Sequence, residues 1–427
     1  MKTKLYSLLI ALATLLVGCG SDDYVASFTD LQLVRLTPTS GYAGDIITIL
    51  GRNFSTDYDG NTVTINGQTA KILDYAKDEL SVILPTNPAG NYSITVNNSL
   101  DEIEGLTITY YDVPDVEYTV STVAGSTGSY GNVDGVGTNA LFRNIEGLYY
   151  APDGNIWIMQ RTADAHAIRV MSPSNYSVTT LSSSTLFNYP WQGCFDANDD
   201  FYVANKAGNN LLKATTAGEV SLVSVSGMTL SNPMGVAFDS SNAMYVTSRS
   251  NNIIYKVENG TTLTATYNVT DYVTTNSIEP ILIDNNDNVF VGAYGIYQLN
   301  TSDGSFTRIA GTGEATTSSE YTTGQEGNPL TATIGSVAAM CLASDGAIYF
   351  TDRTNYVVCK LSPDASGDFS KGTVTLLAGS PCSVGYVDGS ALQAQFTYPE
   401  GIVVSDDCKD IYVGEPTKFT IRRLRVK

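Results

Sequence analysis

Between residues 31 and 112, short apolar runs alternate with turn residues and no helical period of useful length appears, which predicts an all-β segment. Ile47, Ile49, Val63, Ile65, Val82, Leu84, Ile94 and Val96 are expected to face the core of a two-sheet sandwich, with Pro and Gly ending the strands. Beyond a linker at Val113-Pro114-Asp115 the pattern becomes a repeat. Its unit is a strand, a tight Asp/Asn/Gly turn, a second strand, a polar loop and a third strand. The turn-linked strand pairs fall at 147–157, 193–202, 235–245, 280–290, 339–349 and 401–412.

Six copies start 46, 42, 45, 59 and 62 residues apart, the spacing of four-stranded propeller blades plus loop insertions. The fold class predicted is therefore all-β: a small sandwich at 31–112 followed by a six-bladed β-propeller at 116–427. A ring of blades must close or leave unpaired edges. The last strand, Ile421 to Val426, has no fourth strand after it, whereas the run from Tyr118 to Val123 precedes blade one and has no blade of its own. These two are predicted to pair.

Two families enter through particular motifs. The stretch from Leu36-Thr37-Pro38 through Gly41-Tyr42-Ala43-Gly44-Asp45 to Gly51-Arg52-Asn53-Phe54 resembles the opening of IPT/TIG domains. Val63-Thr64-Ile65-Asn66-Gly67, the run Leu80 to Pro85 and the run Gly90 to Val96 resemble that family's later strands. The resemblance implies an immunoglobulin-like module whose motif residues are scaffold and whose job is to lift and orient the repeat domain. In the repeats, Ala124-Gly125-Ser126 leads to Val133-Asp134-Gly135 and Ala140-Leu141-Phe142, and Ala378-Gly379-Ser380 leads with identical spacing to Val387-Asp388-Gly389 and Ala394-Gln395-Phe396. A looser copy runs from Ala310-Gly311-Thr312 to Ala332-Thr333-Ile334. This signature resembles the NHL repeat, which implies that the loops after each second strand and those entering each first strand share one face.

The amino terminus carries Lys2 and Lys4 before an apolar run from Leu5 to Val17, too short for a stop-transfer helix, which reads as a secretion signal over 1–18. Its end, Leu16-Val17-Gly18-Cys19, resembles the bacterial lipobox, which implies a diacylglycerol on Cys19 and a lipidated linker over 19–30. Ser21, Asp22 and Asp23 resemble the surface-export signal of outer-membrane lipoproteins. The expected location is the outer membrane, facing the exterior, with the lipid as the only membrane contact.

A net charge of −20 argues against nucleic acid as a partner. Against that acidic background, the position after each second strand reads Arg161, Lys206, Arg249, Tyr294, Arg353 and Pro416. The position before each first strand reads Glu146, Gln192, Met234, Glu279, Ala338 and Glu400. The two rings are expected to be neighbours, with Arg161 facing Glu146. Arg249 and Arg353 would face Met234 and Ala338, which cannot neutralise them, so these two arginines are the first candidates to hold a carboxylate or sulfate. Trp191, beside Tyr189 and Gln192, is expected on the same rim as a stacking platform for a sugar ring, while Trp157 is expected in the core.

The only histidine, His166, lies in a loop of blade one, so a multi-histidine zinc site is excluded, and no GxSxG or HExxH motif occurs. Besides Cys19 there are five cysteines without CxxC spacing, and a Cys382–Cys408 bridge is not expected because the two loops lie at opposite ends of a strand. Neither catalytic residue, metal nor cofactor is assigned. Glu146 and Glu279 are expected too far apart to work as an acid/base pair. The leading expectation is a non-catalytic surface protein that binds an oligosaccharide or polysaccharide at the propeller mouth. Two alternatives stay open: a lyase or hydrolase acting on an acidic saccharide, and a scaffold or adhesion protein that binds another surface protein, such as a protein of the outer membrane.

Overall fold

A computed structural model describes residues 30–427 apart from 42–45, 58, 89, 99–100, 111–116, 162–165, 274–277 and 315–326. The signal sequence, Cys19, the acidic stretch at 21–23, Tyr42 to Asp45 of the first motif and the 113–115 linker lie outside the described residues. Among the described residues no helix is long and apolar enough to cross a membrane.

The first unit is a β-sandwich of eight strands, hydrogen-bonded in the order Gln32–Thr37, Ile46–Arg52, Glu79–Ile83, Gln68–Tyr75, Asn61–Ile65, Gly90–Asn98, Glu102–Tyr110 and Ser40–Gly41. One strand, Gln68–Tyr75, joins the two sheets. Its start pairs with Asn61–Ile65 (Val63 opposite Ala70), and its end pairs with Glu79–Ile83 (Ile72 opposite Val82). Ile47, Ile49, Val63, Ile65, Val82, Leu84, Ile94 and Val96 are all buried between the sheets, as the alternation predicts. A strand sends successive side chains to opposite faces, so a polar-apolar rhythm with one buried face can hold only this register.

The second unit is a six-bladed β-propeller. The innermost strands are Asn144–Tyr150, Pro190–Phe195, Pro233–Phe238, Ile281–Ile283, Val337–Leu342 and Ile402–Val404. Each turns back through a tight hairpin whose left-handed position is filled in order by Gly154, Asp199, Asn242, Asp287, Gly346 and Cys408, all with φ between 55° and 80°. Gly, Asn and Asp tolerate that conformation best, which is why the sequence marks five of these turns so regularly, Cys408 being the exception. In three of them an aspartate, Asp196, Asp239 or Asp284, accepts amide hydrogen bonds from two and four residues ahead and holds the turn.

Ring closure agrees with the predicted pairing. Tyr118–Gly125 is the fourth strand of blade six and runs antiparallel to Thr420–Val426, with Leu424 opposite Val120 and Val426 opposite Tyr118. Both ends of the propeller segment therefore share one blade. Tyr118, Val120, Leu424, Val413 and Phe396 belong to one continuous buried cluster that reaches blade five through Tyr349 and Val358.

The two identically spaced signatures have one structural role. Each carries the chain from the outer strand of one blade toward the inner strand of the next, and each is clasped by a fully buried arginine on the third strand of the blade it enters. Arg169 donates to Val133 O, Leu141 O and Asp134 Oδ1, and Arg422 donates to Val387 O and Gln395 O and pairs with Asp388 Oδ1. Trp157 is core, packed edge-on against Phe195 and Phe201 of blade two. No disulfide joins Cys382 to Cys408.

Candidate functional site

The inner ring is aimed by a backbone irregularity that recurs from blade to blade. The innermost strand slips register between Ile145 and Gly147, Pro190 and Gly193, Pro233 and Gly235, and Val337 and Ala339. Such a bulge leaves a residue out of the ladder and re-aims its side chain. Glu146, Gln192, Met234 and Ala338 occupy these bulges. In blades four and six, Glu279 and Glu400 sit just before the strand instead, their amides donating to Gly292 O and Gly414 O.

The outer ring sits where each second strand ends. The residue before it reaches back to pin the loop that enters the blade: Asn205 Oδ1, Ser248 Oγ, Asp352 Oδ2 and Glu415 Oε1 accept from the amides of Asn188, Ser231, Gly335 and Thr397 at 2.6, 2.9, 2.7 and 2.6 Å. The outer-ring amides of Lys206, Arg249 and Arg353 then donate to Tyr189 O, Asn232 O and Ser336 O. These bonds bring the two rings side by side.

Their pairing differs from the sequence expectation. Arg161 does meet Glu146, with Nε to Oε1 at 2.5 Å. Arg249 and Arg353, however, are neutralised from neighbouring blades. Arg249 Nη1 lies 2.9 Å from Glu279 Oε1. Arg353 Nη2 lies 2.8 Å from the same oxygen, while its Nη1 lies 3.1 Å from Glu400 Oε1. The expectation compared residues within one blade, but an arginine is long enough to cross to the next at the narrow centre of the ring. Neither arginine is the open anion holder that the ring alignment predicts.

The inner ring is also not an exposed rim. Glu146, Gln192, Met234, Glu279, Ala338 and Glu400 are all buried. Gln192 Nε2 donates to Ala338 O at 2.5 Å, from blade two to the opposite blade five, so the amide expected to contact a ligand is spent across the channel. Trp191, expected as an exposed platform, is only 7% exposed. Its ring lies under Lys206 Nζ, 3.8 Å from the centroid, with Arg161 Cζ at 5.4 Å.

Above this layer opens a cavity of about 520 Å³ lined by Trp191, Lys206, Arg249, Glu279, Tyr294 and Arg353 together with Ser336, Thr354, Tyr356 and Tyr398. Six of the ten sequence candidates line it. Glu146, Arg161, Gln192 and Glu400 do not, although Arg161 stands against Trp191 and Glu400 against Arg353, both of which line it. Tyr356 and Tyr398 escaped the ring alignment because they lie outside the aligned positions, although Tyr398 precedes Glu400 by two residues and could have been found by that offset. His166 is outside the cavity and accepts the Tyr189 amide at 3.3 Å.

The electrostatics arise from burial. Desolvation pushes the Glu400 carboxyl up to about 8 against the pull of Arg353, with Glu146 and Glu279 adding to the rise, and it lifts Glu146 against Arg161. Burial opposes the charge on Arg353, but Glu400 and Glu279 outweigh it and hold that guanidinium firmly protonated. Lys206 is lowered, chiefly by burial. Among the described residues no carboxylate lies within 4.0 Å of its ammonium, which makes it the one lining cation without an ion-pair partner. Among the described residues, no cluster of three His, Cys, Asp or Glu could hold a metal ion.

Comparison with known proteins places this architecture. Residues 31–111 match the IPT/TIG domain family, so the sandwich is a TIG domain of immunoglobulin-like fold, followed by the six-bladed propeller. No curated protein matches the chain. Among solved structures, it is similar over both units to an auxiliary nutrient binding protein from Bacteroides ovatus, with 21% identity, 93% of this chain and 98% of that one covered, and a TM-score of 0.59. A second auxiliary nutrient binding protein, from Bacteroides thetaiotaomicron, gives 18% identity, 92% and 97% coverage and 0.58. A protein of unknown function from the same species gives 19%, 94% and 99%, and 0.56. At these identities the likeness is one of fold.

Proposed function

We propose that this protein is a non-catalytic binder of an extracellular nutrient, a glycan, which it takes at the propeller mouth, with the TIG domain as spacer. The observation that carries the reading is the cavity itself: the rings of Tyr294, Tyr356 and Tyr398 set among hydroxyl, ammonium and guanidinium donors, the mixture that suits the C–H face and the hydroxyls of a sugar. Each of the three channel glutamates stands against a guanidinium and none is more than 2% exposed, which favours a binding role for the mouth. The auxiliary nutrient binding proteins of the same fold agree with it. With Cys19 as a lipid anchor and the acidic stretch behind it, the binder would stand on the outer surface of the outer membrane, where a membrane protein partner could receive the glycan.

The test is to incubate the purified protein with immobilised acidic and neutral polysaccharides and to assay both retention and chain cleavage. Retention without new reducing or unsaturated ends is expected. New ends would replace the binder with an enzyme, and no retention on any glycan combined with capture of an outer-membrane protein would replace it with a scaffold.

A further inference from the structure

Resting on that reading, we infer that the mouth recognises the end of a saccharide chain rather than its middle, and that an anionic group of the terminal residue seats against Lys206. Two sets of observations lead there, one of shape and one of unspent polar groups.

The shape is a blind pocket. A propeller channel open from face to face would leave its inward side chains wet, yet all six inward residues are buried, and Met234, Ala338 and Glu400 show no exposure at all. The Gln192 amide bonded to Ala338 O ties opposite blades together beneath the cavity. A chain cannot thread through. The volume above that floor, about 520 Å³, suits a ligand of one or two sugar residues.

The polar groups give the chemistry. Arg249 and Arg353 are spent on Glu279 and Glu400. Lys206 lies over the Trp191 ring with no carboxylate of the described residues within 4.0 Å, and an ammonium presents three donors. Two buried side chains in the same lining each leave one polar atom unpartnered: Trp191 Nε1, which can only donate, and Glu279 Oε2, which can only accept while ionised. Unpaired buried groups of opposite polarity are costly unless a ligand completes them. A sugar hydroxyl both donates and accepts, and a carboxylate or sulfate on the same residue supplies the direct ion pair that Lys206 does not make among the described residues, where Glu279 and Glu146 act on it only from beyond 4.0 Å. Tyr398, 37% exposed at the opening, is placed to stack on the next residue outward.

The test is calorimetry with oligogalacturonates and hyaluronan oligosaccharides of one to six residues, their carboxyl-reduced counterparts, and neutral cello-oligosaccharides, using wild type, Lys206→Met and Lys206→Arg. Affinity for an acidic series is expected to rise to about two residues and then stay flat. Carboxyl reduction and Lys206→Met should each weaken binding about tenfold or more and should not add to one another, with Lys206→Arg retaining most of it. Steady gain in affinity up to six residues would overturn end recognition. Equal binding of reduced or neutral oligomers would overturn the role of the anion while leaving the glycan reading in place. Binding of none of these probes, acidic or neutral, would remove both.

Discussion

Arg422 in blade six repeats the part that Arg169 plays in blade one: both are fully buried, and each pairs with the aspartate of an incoming Val-Asp-Gly loop, Arg422 with Asp388 at 2.6 Å and Arg169 with Asp134 at 3.0 Å. Arg422 also holds Glu415, itself fully buried, at 2.9 Å. Arg422→Met should therefore strand a buried carboxylate and cost about 3 to 5 kcal/mol, whereas Arg169→Met leaves only the half-exposed Asp134 and should cost less. Urea unfolding of the two variants measures the difference; equal losses would contradict the assignment.

Closure of the ring rests on a pairing between residues some 300 positions apart in sequence, Tyr118–Gly125 with Thr420–Val426. Deleting 117–124 should expose both the edge of Thr420–Val426 and the hydrophobic cluster beneath it, and the propeller should lose its cooperative unfolding. A truncated protein that melts as sharply and at the same temperature as wild type would rule the closure out as a source of stability.

The corrected ion pairs change what two arginine variants should do. Arg353 serves Glu279 and Glu400 at once and is largely buried, so Arg353→Met should destabilise the protein by about 2 to 4 kcal/mol before any effect on a ligand. Arg249 is a third exposed and shares Glu279 with Arg353, so Arg249→Met should cost about 1 kcal/mol or less. Chemical denaturation of both variants is the measurement, and the reverse order would sink the network as drawn.

Glu400 gives a pH dependence. Its carboxyl is raised by burial from an ordinary 4.5 to about 8, so between those values the folded protein holds a proton that the unfolded chain has released. Stability from this group is therefore complete below about pH 4.5 and falls as pH climbs through 8, by a few kcal/mol at most. Glu400→Gln, neutral throughout, should flatten the decline in melting temperature over that window. An unchanged slope would assign the decline to other groups.

Lys206 and Trp191 provide an optical readout. The only other tryptophan, Trp157, is core, so a ligand that displaces the ammonium from the Trp191 ring should change emission, and Trp191→Phe should abolish that change while leaving the Trp157 signal. Since burial lowers the Lys206 pKa, binding of an anionic ligand should weaken with rising pH before the ordinary lysine value of 10.5 is reached. Fluorescence titrations at several pH values test both points.

Much of the architecture is legible in the residues alone. Strand alternation, the left-handed turn positions at Gly154, Asp199, Asn242, Asp287 and Gly346, and the complementary unpaired strands at the two ends of the repeat region are local or periodic signals, and each names its own geometry. Residue order is thus enough to specify the sandwich, the number of blades, the strand that closes the ring and the loops that meet at its mouth. Which charges cancel is settled in three dimensions, because Arg249 and Arg353 find partners in adjacent blades whose distance depends on the curvature of the ring. The covering of Trp191 and the reach of Gln192 across the channel to Ala338 are settled there too, since burial at the centre depends on how six chain segments converge and not on any one of them.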